Sequence, residues 1–233
     1  MEKLSSVSFF CPAYNDEKNL PKVIPKAVKF ISKIAKKYEI IIVEDCSPDK
    51  TAEVADNLAR KYPNVRVIHH KKNMGYGGAL KDGFNSSKYD YVMTTDGDNQ
   101  YDVYEFARGI PLLKKYDVAA GYVPLSRKAG NFRRKVQSFL YNFLVIILFF
   151  IHSKDINCSM KIYKKKVLNS FKIHSDSAFI DAEMIVKSQR NGFKIGRFPV
   201  THYPRISGPE GGVKFKVIWG TIKEMILFRL GLL

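Results

Sequence analysis

The chain has 233 residues, with 39 Lys and Arg against 22 Asp and Glu for a formal charge of +17, and it is 45% hydrophobic and 13% aromatic. That apolar content excludes a disordered chain despite the charge, and the length suits one large domain rather than two independent ones. Three widely separated cysteines, Cys11, Cys46 and Cys158, exclude a disulfide framework and paired zinc spacings, and fit a reducing compartment.

Met1–Ser8 leads straight into a strand at Val7–Phe10, so no signal peptide is expected. Apolar residues from Leu20 to Ala35 recur at helical spacing, and the continuous run Ile40–Val43 reads as a strand buried on both faces. Ser47 as N-cap and Pro48 at the first helical position predict a helix through Thr51–Tyr62. A strand at Val65–His69, a glycine-rich turn at Asn73–Gly78, a helix at Ala79–Ser86 and a strand at Tyr89–Thr94 follow. A helix near Val103–Lys115 and a strand at Asp117–Ala120 close the first half. This alternation predicts an α/β fold, a mostly parallel Rossmann-like sheet flanked by helices. After Gly121 the pattern changes to a helix at Phe132–Ile151, a strand at Ser159–Tyr163, a helix at Ala178–Arg190 and a strand at Lys194–Val200. A glycine-rich loop, Ser207–Gly212, and an apolar-basic helix, Val213–Leu230, finish the chain. One domain is expected, residues 1–121 and 122–233 forming halves with different tasks.

The surplus charge favours an anionic partner without choosing one. One basic cluster is Arg127, Lys128, Arg133, Arg134 and Lys135; a second is Lys161, Lys164, Lys165 and Lys166. The apolar run Phe139–Ile151 between them includes Asn142 and is too short for a bilayer core of ~30 Å. These clusters are either solvated faces beside a buried helix or the rim of a surface lying on anionic lipid. No zinc-finger spacing or RNA-recognition signature accompanies them, so no nucleic acid partner is expected.

In an open α/β sheet, ligands bind beyond the carboxyl ends of the strands. Pro12–Glu17, Glu44–Asp49 and Asp96–Gln100 all follow strands and should meet in one crevice. Asp96 and Asp98 flank Gly97, so both carboxylates can approach one Mg²⁺ or Mn²⁺, with Gln100 adding a neutral oxygen. The same residues also make an ordinary solvated turn. Asp45 either begins the following helix or accepts hydrogen bonds from a base or ribose. Asn73–Gly78 lacks the dinucleotide fingerprint because position 80 is Leu; it is a tight turn, or a place where backbone approaches a sugar or phosphate.

Together, Cys11–Glu17, Glu44–Thr51, Asn73–Gly78 and Asp96–Gln100 resemble the successive motifs of family 2 glycosyltransferases with the GT-A fold. Arg134–Ser138, Asp155–Lys161, Phe179–Glu183 and His202–Arg205 are similar to the branch that glycosylates polyprenyl phosphates, including dolichyl-phosphate mannose synthases. The resemblance covers about Val7 to Gly212. It implies that Pro12, Ala13, Tyr14, Glu17, Asp45, Gly75 and Asp96 bind the nucleotide and that Asp96, Asp98 and Gln100 bind Mg²⁺ or Mn²⁺. Arg127, Arg134, Ser138 and Arg205 would receive the acceptor phosphate. Arg127 stands in for an arginine that relatives place just after the strand-end Gly121, and Glu210 lies where relatives carry serine.

The activity so implied is inverting transfer of a hexose, from a donor of the GDP-mannose or UDP-glucose type, to a polyprenyl phosphate. An acceptor phosphate with a second pKa of ~6 is already largely ionised at neutral pH and needs docking rather than deprotonation. If a base is used, Asp155 and Asp181 are the candidates, although Asp181 equally suits a helix start. The expected location is peripheral, on the cytoplasmic face of an anionic membrane. Two other readings stay open: the same fold acting on a glycan or polysaccharide hydroxyl, and a non-catalytic basic module for lipid or nucleic acid.

Overall fold

A computed structural model of the protein describes residues 3–124, 126, 132–151, 155–204 and 215–232, with backbone alone for 132–139 and 215–217. Among the described residues, seven strands form one sheet: β1 (Leu4–Ala13), β2 (Ala35–Glu44), β3 (Val65–His69), β4 (Tyr91–Thr94), β5 (Val118–Tyr122), β6 (Lys161–Lys164) and β7 (Ile195–Pro199). Their spatial order is β3-β2-β1-β4-β6-β5-β7, and every pairing is parallel except those of β6. The antiparallel β6 enters from the second half of the chain and separates β4 from β5, so the two halves share one sheet.

Among the described residues, seven α-helices accompany it: α1 (Leu20–Ile34), α2 (Thr51–Lys61), α3 (Gly75–Ser86), α4 (Phe132–Phe149), α5 (Lys165–Leu168), α6 (Ile180–Arg190) and α7 (Phe215–Arg229). Alternation along β1 sends Phe9 and Cys11 into a core beneath α1 and α2, and Phe10 into a second core beneath α3, α6 and the packed pair α4–α7. Stacked and edge-on rings of Phe149, Phe179 and Phe228 join α4, α7 and the start of α6.

Several boundaries differ from the sequence expectation for identifiable reasons. The helix expected at Val103–Lys115 is instead two 3-10 turns, Val103–Arg108 and Ile110–Lys114. Gly109 and Pro111 interrupt the helical ladder there, and a Cβ at Gly109 would stand 2.7 Å from the Phe198 ring. α2 begins at Thr51 rather than after Ser47, since Asp49 accepts hydrogen bonds from the Thr51 amide and hydroxyl. α3 begins four residues early, inside the glycine run. The expected loop Ser207–Gly212 lies outside the described residues.

Candidate active site

The three expected loops meet at the carboxyl end of the sheet. β1 lies between β2 and β4, and its tip is tied to both neighbours: Ala13 O accepts from the Asp45 amide at 3.1 Å, and Pro12 O accepts from the Gly97 amide at 3.1 Å. Pro12 and Ala13 are therefore the last residues of β1 rather than part of its loop. Each loop contains one residue in the left-handed region, Asn15 (φ 57°), Cys46 (φ 53°) and Asn99 (φ 61°). Such strained single residues concentrate where a backbone is being aimed. Buried Asp16 binds these loops together, accepting from the Tyr14 amide and the Asn19 side chain while its own amide donates to Thr51 Oγ1. Glu17 accepts from the Lys50 amide, and Tyr14 is exposed above the tip.

Asp45 is held by the connection that follows the neighbouring strand β3. Its Oδ1 accepts from the Met74 amide at 2.6 Å and its Oδ2 from the Gly75 amide at 2.8 Å, while His70 Nδ1 lies 2.7 Å from Oδ1. A carboxylate at exposed helix amides satisfies orphan donors and complements the dipole, which explains the early start of α3. Gly75, at φ 74°, supplies the turn into that helix. Asp45 neither begins α2 nor stands apart from neighbours, and His70 is a partner that the motifs did not reveal.

Asp96 sits at the end of β4, its amide donating to Ser159 Oγ. Asp96 Oδ1 is enclosed and has no hydrogen-bond partner. Burial, together with the Asp98 and Asp181 carboxylates, pushes Asp96 up to about 8. Ser159 and Lys161 offset this only in part. An enclosed oxygen without a donor, beside other carboxylates, is a site short of positive charge. Asp98 Oδ1 accepts from the Gln100 amide, and Gln100 Nε2 donates to Tyr203 O. No group of three or more His, Cys, Asp or Glu side chains converges as a complete metal cage among the described residues. The donor set suits a hard cation that draws its remaining ligands from substrate phosphates and water, as Mg²⁺ commonly does.

Asp181 opens α6 beside this centre. Its Oδ1 lies 2.5 Å from Lys161 Nζ and its Oδ2 accepts from Tyr76 OH at 3.1 Å. Lys161 also donates to Cys158 O and is fully buried, so the reading of its cluster as one solvated face is corrected for this residue. The signal available in sequence was a lone lysine within the apolar stretch Met160–Tyr163. Asp155, at φ 50°, accepts from the Val123 amide and contributes an attraction felt by Arg197. Arg127 and Arg205 lie outside the described residues, and Arg134 and Ser138 fall in the first half of α4.

Residues 8–171 match the model of the family described as Glycosyl transferase family 2. The chain belongs to this family. The transferase is 29% identical over 244 residues to dolichyl-phosphate beta-glucosyltransferase ALG5A of Trichomonas vaginalis, covering 97% of this chain and 74% of that protein. It is 28% identical over 207 residues to glycosyltransferase AglD of Haloferax volcanii, covering 85% of this chain but only 33% of AglD, a third of that relative's length. Among solved structures, glucosyl-3-phosphoglycerate synthase from Mycobacterium tuberculosis, in complex with Mn²⁺, UDP-glucose and phosphoglyceric acid, superposes with a TM-score of 0.75 at 14% identity. That superposition covers 98% of this chain and 81% of the synthase, and it establishes the fold of the glycosyltransferase as GT-A.

Proposed function

We propose that this glycosyltransferase transfers glucose, with inversion, from UDP-glucose to a polyprenyl phosphate of the dolichyl type at a membrane surface. The observation that carries the reading is Asp96 Oδ1, enclosed without a hydrogen-bond partner beside Asp98 at the point where three strand tips meet. The names of the dolichyl-phosphate relatives support the acceptor, and the synthase complex supports the donor.

In this reading Pro12, Ala13, Tyr14, Glu17, Asp45 and Gly75 bind the nucleoside side of the donor. Asp96, Asp98 and Gln100 hold Mg²⁺ or Mn²⁺. Bound there, the cation supplies positive charge that stabilises the leaving diphosphate. Arg127, Arg134, Ser138 and Arg205 dock the acceptor phosphate, whose ionised oxygen attacks without prior proton removal. Asp181 has both oxygens committed to Lys161 and Tyr76, which favours a positioning role over that of a base. Asp155, which accepts from the Val123 amide, is the second carboxylate considered for base chemistry if the acceptor is a hydroxyl.

Among the described residues no helix is long and apolar enough to cross a membrane. α4 nevertheless exposes Leu140, Phe143 and Ile147 at helical spacing, with Phe150 just beyond its end, and α7 exposes Trp219 and Ile226, with Leu230 following. Beside a net charge of +17, this apolar surface suits a peripheral protein resting on anionic lipid at the cytoplasmic face.

The test incubates the protein with MnCl₂ or MgCl₂, UDP- and GDP-sugars and a short polyprenyl phosphate, and examines the products by mass spectrometry. A glucosyl phospholipid formed by the wild type and lost in Asp96→Asn is expected. Transfer only to a glycan hydroxyl overturns the acceptor assignment. Equal product from Asp96→Asn overturns the metal assignment.

A further inference from the structure

Glu224 of α7 holds a loop that packs against α3. Glu224, midway along that helix, accepts from the Ser175 hydroxyl, from the Ser177 hydroxyl at 2.6 Å, and from the Ser177 and Asp176 amides at 3.3 and 3.4 Å. Both carboxylate oxygens thus close on a single short loop, residues 174–177. The loop's other side is gripped by fully buried Glu183, which accepts from the His174 and Ser175 amides, each at 2.8 Å.

This loop is the seat of α3. A Cβ at Gly77 would fall 2.3 Å from the Asp176 carbonyl carbon and 2.6 Å from the Ser177 nitrogen, so the first turn of α3 rests directly on the loop backbone. Lys81, one turn along, reinforces the contact by donating to His174 O and Asp176 Oδ1. The same first turn of α3 supplies the amides that hold Asp45 and the Tyr76 hydroxyl that holds Asp181. A shift of loop 174–177 therefore moves both carboxylates at once, because close-packed backbone has no slack to absorb it.

We propose that Glu224 is a positioning residue for donor binding, tying the seating of α7 to the placement of Asp45 and Asp181 through loop 174–177. The inference rests on the reading of the strand-tip cleft as a nucleotide-sugar site. Glu224 itself touches neither donor nor cation. Its effect is a coupling between a helix face and a binding cleft, and such couplings commonly amount to 5-fold or more in affinity, on the order of 1–3 kcal/mol.

Calorimetric titration of the whole chain with UDP-glucose in the presence of MnCl₂ tests this directly. The Kd is expected to rise about 5-fold or more in Glu224→Ala. Ser177→Ala, which removes one donor from the other end of the clasp, should weaken binding in the same direction. The double variant should bind no worse than Glu224→Ala alone, since the two groups act as one unit. Glu224→Asp should recover part of the affinity, and thermal melting establishes that each variant is folded. Wild-type affinity in folded Glu224→Ala overturns the inference and leaves the donor site intact; should Glu224→Ala fail to fold, wild-type affinity in Ser177→Ala does so. Absence of UDP-glucose and GDP-sugar binding by the wild type overturns the site reading itself, and the inference with it.

Discussion

Lys161 Nζ lies 2.5 Å from Asp181 Oδ1 in a pair that joins the antiparallel strand β6 to the first turn of α6. The lysine is 1% exposed, so its charge depends on that carboxylate and on Cys158 O for compensation. A buried ion pair is weak evidence for net stability, yet breaking one leaves an unpaired charge in a poor solvent.

Lys161→Met should therefore destabilise the fold by about 3–5 kcal/mol, measured as a lower urea midpoint. The double variant Lys161→Met/Asp181→Leu should recover most of that loss. Equal destabilisation in both variants would sink the ion-pair explanation.

The contact of Gly77 with the backbone of Asp176 permits no side chain. Gly77→Ala should cost about 1–3 kcal/mol of stability through overpacking. Because the displaced segment carries the Asp45 contacts, UDP-glucose affinity should fall together with the melting temperature. Unchanged stability would mean that the loop yields without strain.

Glu39 provides a pH signature far from the cleft. Burial alone would raise its carboxyl, but hydrogen bonds from Ser8, the Lys88 amide and Arg66, with the Arg66 charge, hold it below the ordinary 4.5. The folded state thus binds fewer protons than the unfolded state in that window, and the stabilisation is complete above pH 4.5. It is lost as pH falls through the depressed folded value. Urea midpoints between about pH 6 and about pH 3 should fall less steeply in Glu39→Gln than in the wild type. Parallel curves would remove Glu39 from the account of acid sensitivity.

Exposed Phe143 and Ile147 lie on the α4 face proposed to meet lipid. Burying such a side chain in an apolar phase contributes about 1.5–3 kcal/mol. Phe143→Glu and Ile147→Glu should each reduce sedimentation with phosphatidylserine-containing vesicles by about tenfold or more. Raising salt from about 0.1 M to about 0.5 M should weaken wild-type binding through screening. Vesicle binding by neither wild type nor variants at low salt would remove the membrane from the proposed function.

By itself, the order of apolar runs and turn residues determined the α/β class, the strands Ile40–Val43 and Val65–His69, and the three acidic loops. These follow from local physics: side-chain periodicity, backbone preferences of glycine and proline, and the rule placing ligand loops at strand ends. Tertiary structure alone decided that β6 would enter the sheet antiparallel between β4 and β5, bringing Lys161 within reach of Asp181. It also decided that Asp45 would anchor α3 rather than begin α2, and that Glu224 would close on a loop 47 residues away from it at Ser177. Each of these contacts depends on the packing of distant segments, a quantity that no periodicity encodes. A charged residue in an apolar stretch marks where such a partner is needed, and only the fold supplies it.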